Sequence, residues 1–525
     1  MTFKRLILIL LTVVATLLAG SALYSSLQEP QYRSRLELYQ TDIVLQAATW
    51  QPEDIQNDYQ KAQNAILGAN PVESAAQQYE DARVAAQKSV EKTQQRIEKL
   101  RQLIAQQDTT QSSQVDPKLN LKVDQQAQLK ALLKLLDEQQ KTLAELELRL
   151  GILAVESSKN ELALQIWDQV AQREQIYPEI TKTARVLSGL WSNQKQLLPN
   201  AQELIQSQLN GWFQFRALSQ LYKLQERNDA LKALEVSQQQ LAEQALLKLT
   251  IVGVVPNLVG LLGLVMLIFL LAQRLLKGKN SVLATNSELT WSTPWNAETI
   301  IQVLVGGFFL MGQLLVPLIF SLLPIPRPTG NIRFQALNVL IGYIFVAAGA
   351  LSVLYFSIKP FLPLSEDWFR FRLGGKWILW GFGGYCVAIP IVLFISLVNQ
   401  QIWQGQGGSN PLLQLALEAN DSVALGIFFT TAAIAAPLFE EFLFRGFLLP
   451  SLTRYMPVWG SILMSSLIFA IAHLSLSEIL PLTSLGIVLG VVYTCSRNLL
   501  APILLHSLWN SGTLFALFVL GSSNR

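Results

Sequence analysis

The sequence predicts an all-α, polytopic membrane protein of about nine spans carrying a separate, exported α-helical domain, and three observations carry that prediction. Of its 525 residues, 51% are apolar and only 15% charged, a balance that soluble domains seldom reach. The charges are also unevenly spread. Residues 1–248 hold 27 basic and 28 acidic side chains, whereas the longer stretch 249–525 holds 13 and 9. That second stretch is built of apolar runs of roughly 20 residues, the length a helix needs to cross the hydrocarbon core of a bilayer.

The elements follow in chain order. Residues 1–24 form an apolar run behind Lys4 and Arg5. It reads as a signal anchor in preference to a cleaved signal peptide, because it is longer than a usual signal core, although Ala19-x-Ser21 resembles a cleavage site. Residues 25–248 are rich in Gln, Leu, Ala, Glu and Lys, with Leu at three- and four-residue spacing, the pattern of amphipathic helices. Two Ala-Leu pairs, Ala163-Leu164 and Ala230-Leu231, stand 67 residues apart, about twice the tetratricopeptide period. TPR-like helix pairs and a plain coiled coil or hairpin are therefore the two readings of this domain: the first would bind a peptide or protein partner, the second would be a spacer or a dimer contact.

Residues 249–299 read as a transmembrane helix and a cytoplasmic linker. Spanning segments are expected at 249–272, 300–323, 335–357, 377–398, 422–449, 457–475, 479–496 and 499–520. With the N-terminus in the cytoplasm, eleven Lys and Arg residues fall on the cytoplasmic side. Only Arg327, Arg333 and Arg525 fall on the other. That distribution predicts an integral, multi-pass protein with residues 25–248 in the periplasm or a lumen. The net charge of +3 excludes the strongly basic footprint of a nucleic-acid partner. Cys386 and Cys495 both sit in apolar runs, so the polar half has no disulfide framework.

Ionisable groups inside a membrane are costly, and by default they mark function. Glu440, Glu441 and Arg445 lie within the run 423–452, and the chain's two histidines, His473 and His506, lie in neighbouring apolar runs. Counted from the turn near Tyr455–Pro457, Glu440 and His473 both sit ~22–24 Å up their helices. His506 and Asn510 are spaced i, i+4 and so share one face. Glu441 and Arg445 have the same spacing, which predicts an internal ion pair that leaves Glu440 free to react. A carboxylate beside neutral imidazoles is able to act as general base toward water. Glu440, His473 and His506 are equally a ligand set for a catalytic divalent metal such as zinc. The residues leave both chemistries open. No P-loop, G-x-S-x-G or H-E-x-x-H motif is present.

Three motifs carry a resemblance. Glu440-Glu441-Phe-Leu-Phe-Arg445, Phe469-Ala-Ile-Ala-His473 and His506-Ser-Leu-Trp-Asn510 resemble the E-E-x-x-x-R, F-x-x-x-H and H-x-x-x-N/B motifs of the CPBP (ABI/CAAX) intramembrane proteases. The resemblance covers residues 300–520 and does not reach the exported helical domain. It implies an endopeptidase, metallo- or glutamate-type, that acts on membrane or membrane-associated proteins in contact with lipid. Glu440 and His473 would activate water, and His506 with Asn510 would stabilise the oxyanion or complete a metal site. The same family contains immunity and binding factors, so a non-proteolytic scaffold is the alternative the resemblance carries.

Overall fold

The computed structural model describes residues 2–27, 33–51, 67–109, 118–173, 177–322, 331–403, 407–408, 415 and 421–521. Among these residues every regular element is a helix, so the protein is all-α. Arg327 and Arg525 lie outside the described residues. The chain divides into two compact units, residues 1–36 with 251–522, and residues 37–250 with 523–525.

The polar unit begins with α2 (Arg33–Ala48), which follows α1 (Phe3–Ser26) of the other unit. Two 39-residue helices come next, α3 (Pro71–Thr109) and α4 (Lys118–Glu156). They pack antiparallel, since Tyr79 near the start of α3 meets Arg149 near the end of α4. The Tyr79 hydroxyl also donates to Asp42 at 2.5 Å. Burial pushes the Asp42 carboxyl above the usual carboxylate range, against the pull of Arg149 and the Tyr79 hydroxyl. Shorter helices follow: α5 (Asn160–Ala171), α6 (Pro178–Trp191), α7 (Ala201–Gln208), α8 (Gly211–Leu224) and α9 (Asn228–Leu249). Ala163 is fully buried on α5, and Ala230 is half-buried in the first turn of α9. Trp167 anchors this core with no exposed surface and donates its indole N–H to the Leu148 carbonyl at 3.1 Å.

The apolar unit holds α1, α10 (Val255–Lys277), α11 (Ala297–Leu322), α12 (Ile332–Ile358), α13 (Trp377–Trp403), α14 (Ser422–Leu452), α15 (Val458–Ile471), α16 (Ile479–Ser496) and α17 (Leu500–Gly521). Eight helices of the described chain are long and apolar enough to cross a membrane, so the protein is integral and multi-pass. The ninth expected span, 457–475, is the one that differs. Its helix α15 has only 14 residues, ~21 Å of rise against a hydrocarbon core of about 30 Å. The chain leaves the helix after Ile471 and reverses at Leu474, which takes a left-handed φ of 56°. Two serines on α15 turn their hydroxyls onto backbone carbonyls, Ser465 to Phe444 at 3.1 Å and Ser466 to Ile462 at 2.7 Å.

Contacts within this unit sort into two ends. At one end Lys4 and Arg5 pair with Glu298 at 3.3 and 3.2 Å, and Arg454 donates to the Trp295 carbonyl at 2.6 Å. At the other end the Leu476 amide donates to Ser26 at 3.2 Å, and Arg333 pairs with Asp421 at 2.8 Å. Each pairing joins the helix ends that strict alternation of spans would bring together. The segment between α10 and α11 is not a free linker. Trp295 is fully buried and bonds Ser451 at 2.9 Å, and Trp291 stacks on Tyr493 with centroids 5.5 Å apart.

Candidate active site

The site is built on a helix whose geometry is irregular. α14 passes through a π segment at Thr430–Ala435, returns to α-helix at Ala436–Glu441, and widens again at Phe442–Leu448. Such bulges recur at functional sites because they re-aim side chains that a regular helix would stack. Glu440 and Glu441 close the short α-helical stretch between the two bulges, and consecutive residues on it project about 100° apart. Adjacent glutamates therefore meet different neighbours.

Glu441 points into the protein and is fully buried, as is Arg445. Arg445 Nη1 donates to Glu441 Oε1 at 2.9 Å, the i, i+4 pair expected from spacing. Arg445 Nη2 reaches the Gly486 carbonyl on α16 at 3.2 Å. Gly486 is needed there, since a Cβ would stand 2.8 Å from the Ser466 Cβ and push α16 off α15. The same Glu441 oxygen accepts from His506 Nδ1 at 2.8 Å. A carboxylate oxygen accepts, so Nδ1 is the donor in this bond. Glu441 Oε2 is buried with no hydrogen-bond partner among the described residues.

Glu440 faces the other way, with 15% of its side chain exposed. It is not free of partners. The Tyr343 hydroxyl, on α12, donates to its Oε1 at 3.0 Å. Glu440 Oε2 faces His506 Nε2 at 4.0 Å. That gap is too long for a direct hydrogen bond.

The remaining residues join less directly. His473 lies in the turn beyond α15, not on a helix level with Glu440, because the chain has already left its helix there. Its Nδ1 bonds the Phe469 carbonyl at 2.9 Å. The carbonyl can only accept, so Nδ1 is again the donor. The turn is fixed from several sides: Ser477 bonds the Gly408 carbonyl at 2.6 Å and Asn399 bonds the Ser477 carbonyl at 2.6 Å. Phe469, with no exposed surface, is the hub of the site. Its ring carries the Arg445 guanidinium on one face at 4.5 Å, and meets His473 at 5.0 Å and His506 at 5.8 Å, both edge-on. Asn510 turns its amide N–H₂ onto the Ala432 carbonyl at 2.7 Å, inside the first π segment, and so holds the backbone leading to Glu440.

The metal reading was tested on the donors. Among the described residues no group of three His, Cys, Asp or Glu side chains is arranged to hold an ion. Glu440, His473 and His506 do not form such a set among them. Sequence reasoning missed Tyr343, the direct partner of Glu440. Beside the site, an apolar groove of about 530 Å³ runs between α12 and α14, lined by Leu351, Leu354, Leu438, Phe439 and Phe442 among others.

Residues 422–512, the span of α14 to α17 that holds all three motifs, match the family model described as type II CAAX prenyl endopeptidase Rce1-like. The membrane-embedded CAAX protease MroQ of Staphylococcus aureus (strain USA300) is 26% identical over 209 residues, 38% of this chain and 83% of that protein. YdiL of Bacillus subtilis (strain 168), a membrane peptidase by name, is 26% identical over 137 residues, 26% of this chain and 55% of that protein. No solved structure matches significantly. Residues 422–512 of the apolar unit are thus similar to Rce1-like CAAX prenyl endopeptidases, and that similarity supports an intramembrane peptidase at the level of the family.

Proposed function

We propose that the protein is an intramembrane endopeptidase of glutamate type, hydrolysing peptide bonds of membrane or membrane-associated proteins. The observation that carries the reading is the pair of atoms Glu440 Oε2 and His506 Nε2, 4.0 Å apart and each steadied from behind. Tyr343 holds the far oxygen of Glu440, and Glu441 holds the far nitrogen of His506. One water between them would give a hydrogen bond to each and keep a lone pair for attack on a peptide carbonyl.

In the reaction, the water oxygen bonds to the carbonyl carbon as Glu440 takes one of its protons. The carbon–nitrogen bond then breaks, and the proton passes to the departing amine, with His473 Nε2 as the second proton carrier at the site. The products are one carboxylate terminus and one amine terminus. Glu441 and Arg445 do not touch substrate: they fix the tautomer and orientation of His506, as the buried carboxylate does in a catalytic triad. Asn510 acts as a positioning residue through the Ala432 carbonyl. In this proposal no step passes through a metal.

The apolar groove beside Leu438 and Phe442 suits an apolar portion of a membrane substrate. In this reading the end of the apolar unit bearing Lys4, Arg5 and Arg454 faces the cytoplasm. Residues 25–248 are then exported, as a coiled-coil or TPR-like module that recruits a protein partner or screens substrates. The test compares membrane proteomes by N-terminal peptide mapping in cells carrying the wild type or Glu440→Gln at matched abundance. New N-termini that vanish in the variant support the protease. Identical maps would contradict it.

A further inference from the structure

We infer that Tyr343, on a helix outside the matched residues 422–512, is the positioning residue that aims the Glu440 carboxylate at its water. The inference rests on the reading of Glu440 as the base. Glu441 is pinned by two nitrogen donors, but Glu440 receives a single hydrogen bond among the described residues, the one from Tyr343. A glutamate has three side-chain torsions, and with neither carboxylate oxygen held the two would exchange places by rotation. The Tyr343 hydroxyl occupies Oε1, so Oε2 is the oxygen left facing His506.

The tyrosine is itself well placed for this duty. Its ring packs edge-on against Phe439 at 5.9 Å, and Phe439 stacks on Phe308 of α11 at 6.1 Å. Phe439 precedes Glu440 in the chain, so the same residue that orders the tyrosine ring is tied to the backbone of its target. Tyr343 also lies ~16 Å along α12 from Ile332, deep enough that water would be a poor substitute donor. A hydroxyl donating to a carboxylate is a charge-assisted bond, stronger than a neutral pair.

The test uses the full chain in lipid vesicles and needs no substrate. Infrared difference spectra of wild type against Glu440→Gln isolate the Glu440 carboxylate bands. A tyrosine C–O band accompanies them if a tyrosine hydroxyl bonds that carboxylate. Tyr343→Phe should remove the tyrosine band and shift the carboxylate bands, whereas Tyr24→Phe, on the exposed face of α1, should alter neither. With a substrate found by peptide mapping, Tyr343→Phe should lower kcat about 10-fold and leave KM unchanged, since only the orientation of the base is lost. Absence of any tyrosine band from a difference against Glu440→Ala, which leaves the hydroxyl no acceptor at position 440, overturns the inference, and needs no tyrosine variant to fold. Carboxylate bands unmoved in a folded Tyr343→Phe protein overturn it equally. Cleavage retained by Glu440→Gln would instead overturn the base, and the role of Tyr343 with it.

Discussion

Replacing Glu441 by Gln should unfold the site, whereas replacing its neighbour Glu440 should silence it. Glu441 and Arg445 have no exposed surface, and their charges meet at 2.9 Å. A glutamine at 441 keeps an acceptor oxygen but removes the counter-charge, so the buried Arg445 guanidinium is left with neutral partners only, the Gly486 carbonyl at 3.2 Å and the face of Phe469 among them. Breaking one partner of a buried pair costs about 3–5 kcal/mol, most of it the stranded charge. Glu440→Gln strands nothing, because the new amide oxygen still accepts from Tyr343, and its cost should stay within about 1 kcal/mol. Arg445→Met in the Glu441→Gln background removes both charges, so the double variant should be more stable than Glu441→Gln alone. Equilibrium unfolding in mixed micelles measures all three. The reasoning is refuted if Glu441→Gln costs no more than Glu440→Gln, or if the second substitution restores nothing.

Other consequences are open to measurement. Gly486→Ala places a methyl 2.8 Å from the Ser466 Cβ and should cost about 1–3 kcal/mol, read as a lower unfolding midpoint, with Ser466→Gly relieving part of it. Asp421 caps α14 by accepting from the Ala424 amide at 2.9 Å. That bond, followed by the Arg333 ion pair, holds its carboxyl below the ordinary 3.8. A depressed carboxyl contributes stability that is complete above pH 3.8 and is lost as pH falls further through the folded value. Asp421→Asn should therefore lower stability at neutral pH, change it little in acid, and so flatten the acid arm of a stability–pH curve. If hydrolysis is of the proposed glutamate type, chelators should leave cleavage intact; inhibition reversed by added zinc would argue for a metal centre. Finally, Lys4 and Arg5 bond Glu298 while Ser26 accepts from Leu476 in the His473 turn. Intact mass of the purified protein should accordingly show α1 retained, and a mass beginning near Ser21 would contradict this.

Much of the membrane architecture is readable from hydropathy alone, because long apolar runs have only one way to satisfy their backbone in lipid. The Glu441–Arg445 pair is equally readable, since i, i+4 spacing fixes it within one helix. What escapes depends on contacts across the chain. Tyr343 lies 97 residues from Glu440, and nothing in the local pattern separates it from the chain's other tyrosines. Depth arithmetic brings His506 to the level of the glutamates but cannot choose between two neighbours that project about 100° apart, and the structure gives its Nδ1 to Glu441. His473 misleads for another reason. The run Phe-Ala-Ile-Ala-His-Leu continues apolar past the helix end, and the reversal at Leu474 uses a left-handed residue that is neither glycine nor asparagine. The two tryptophans at 291 and 295 look like linker in sequence because their partners, Tyr493 and Ser451, are remote.

The central claim is that Glu440, steadied by Tyr343 and facing His506, activates the hydrolytic water. Its most direct test is cleavage of a peptide-mapped substrate by the purified full chain in lipid vesicles, wild type beside Glu440→Gln. The account predicts a fall of at least ~100-fold in the variant with an unchanged unfolding transition; cleavage at near wild-type rate by folded Glu440→Gln would contradict it.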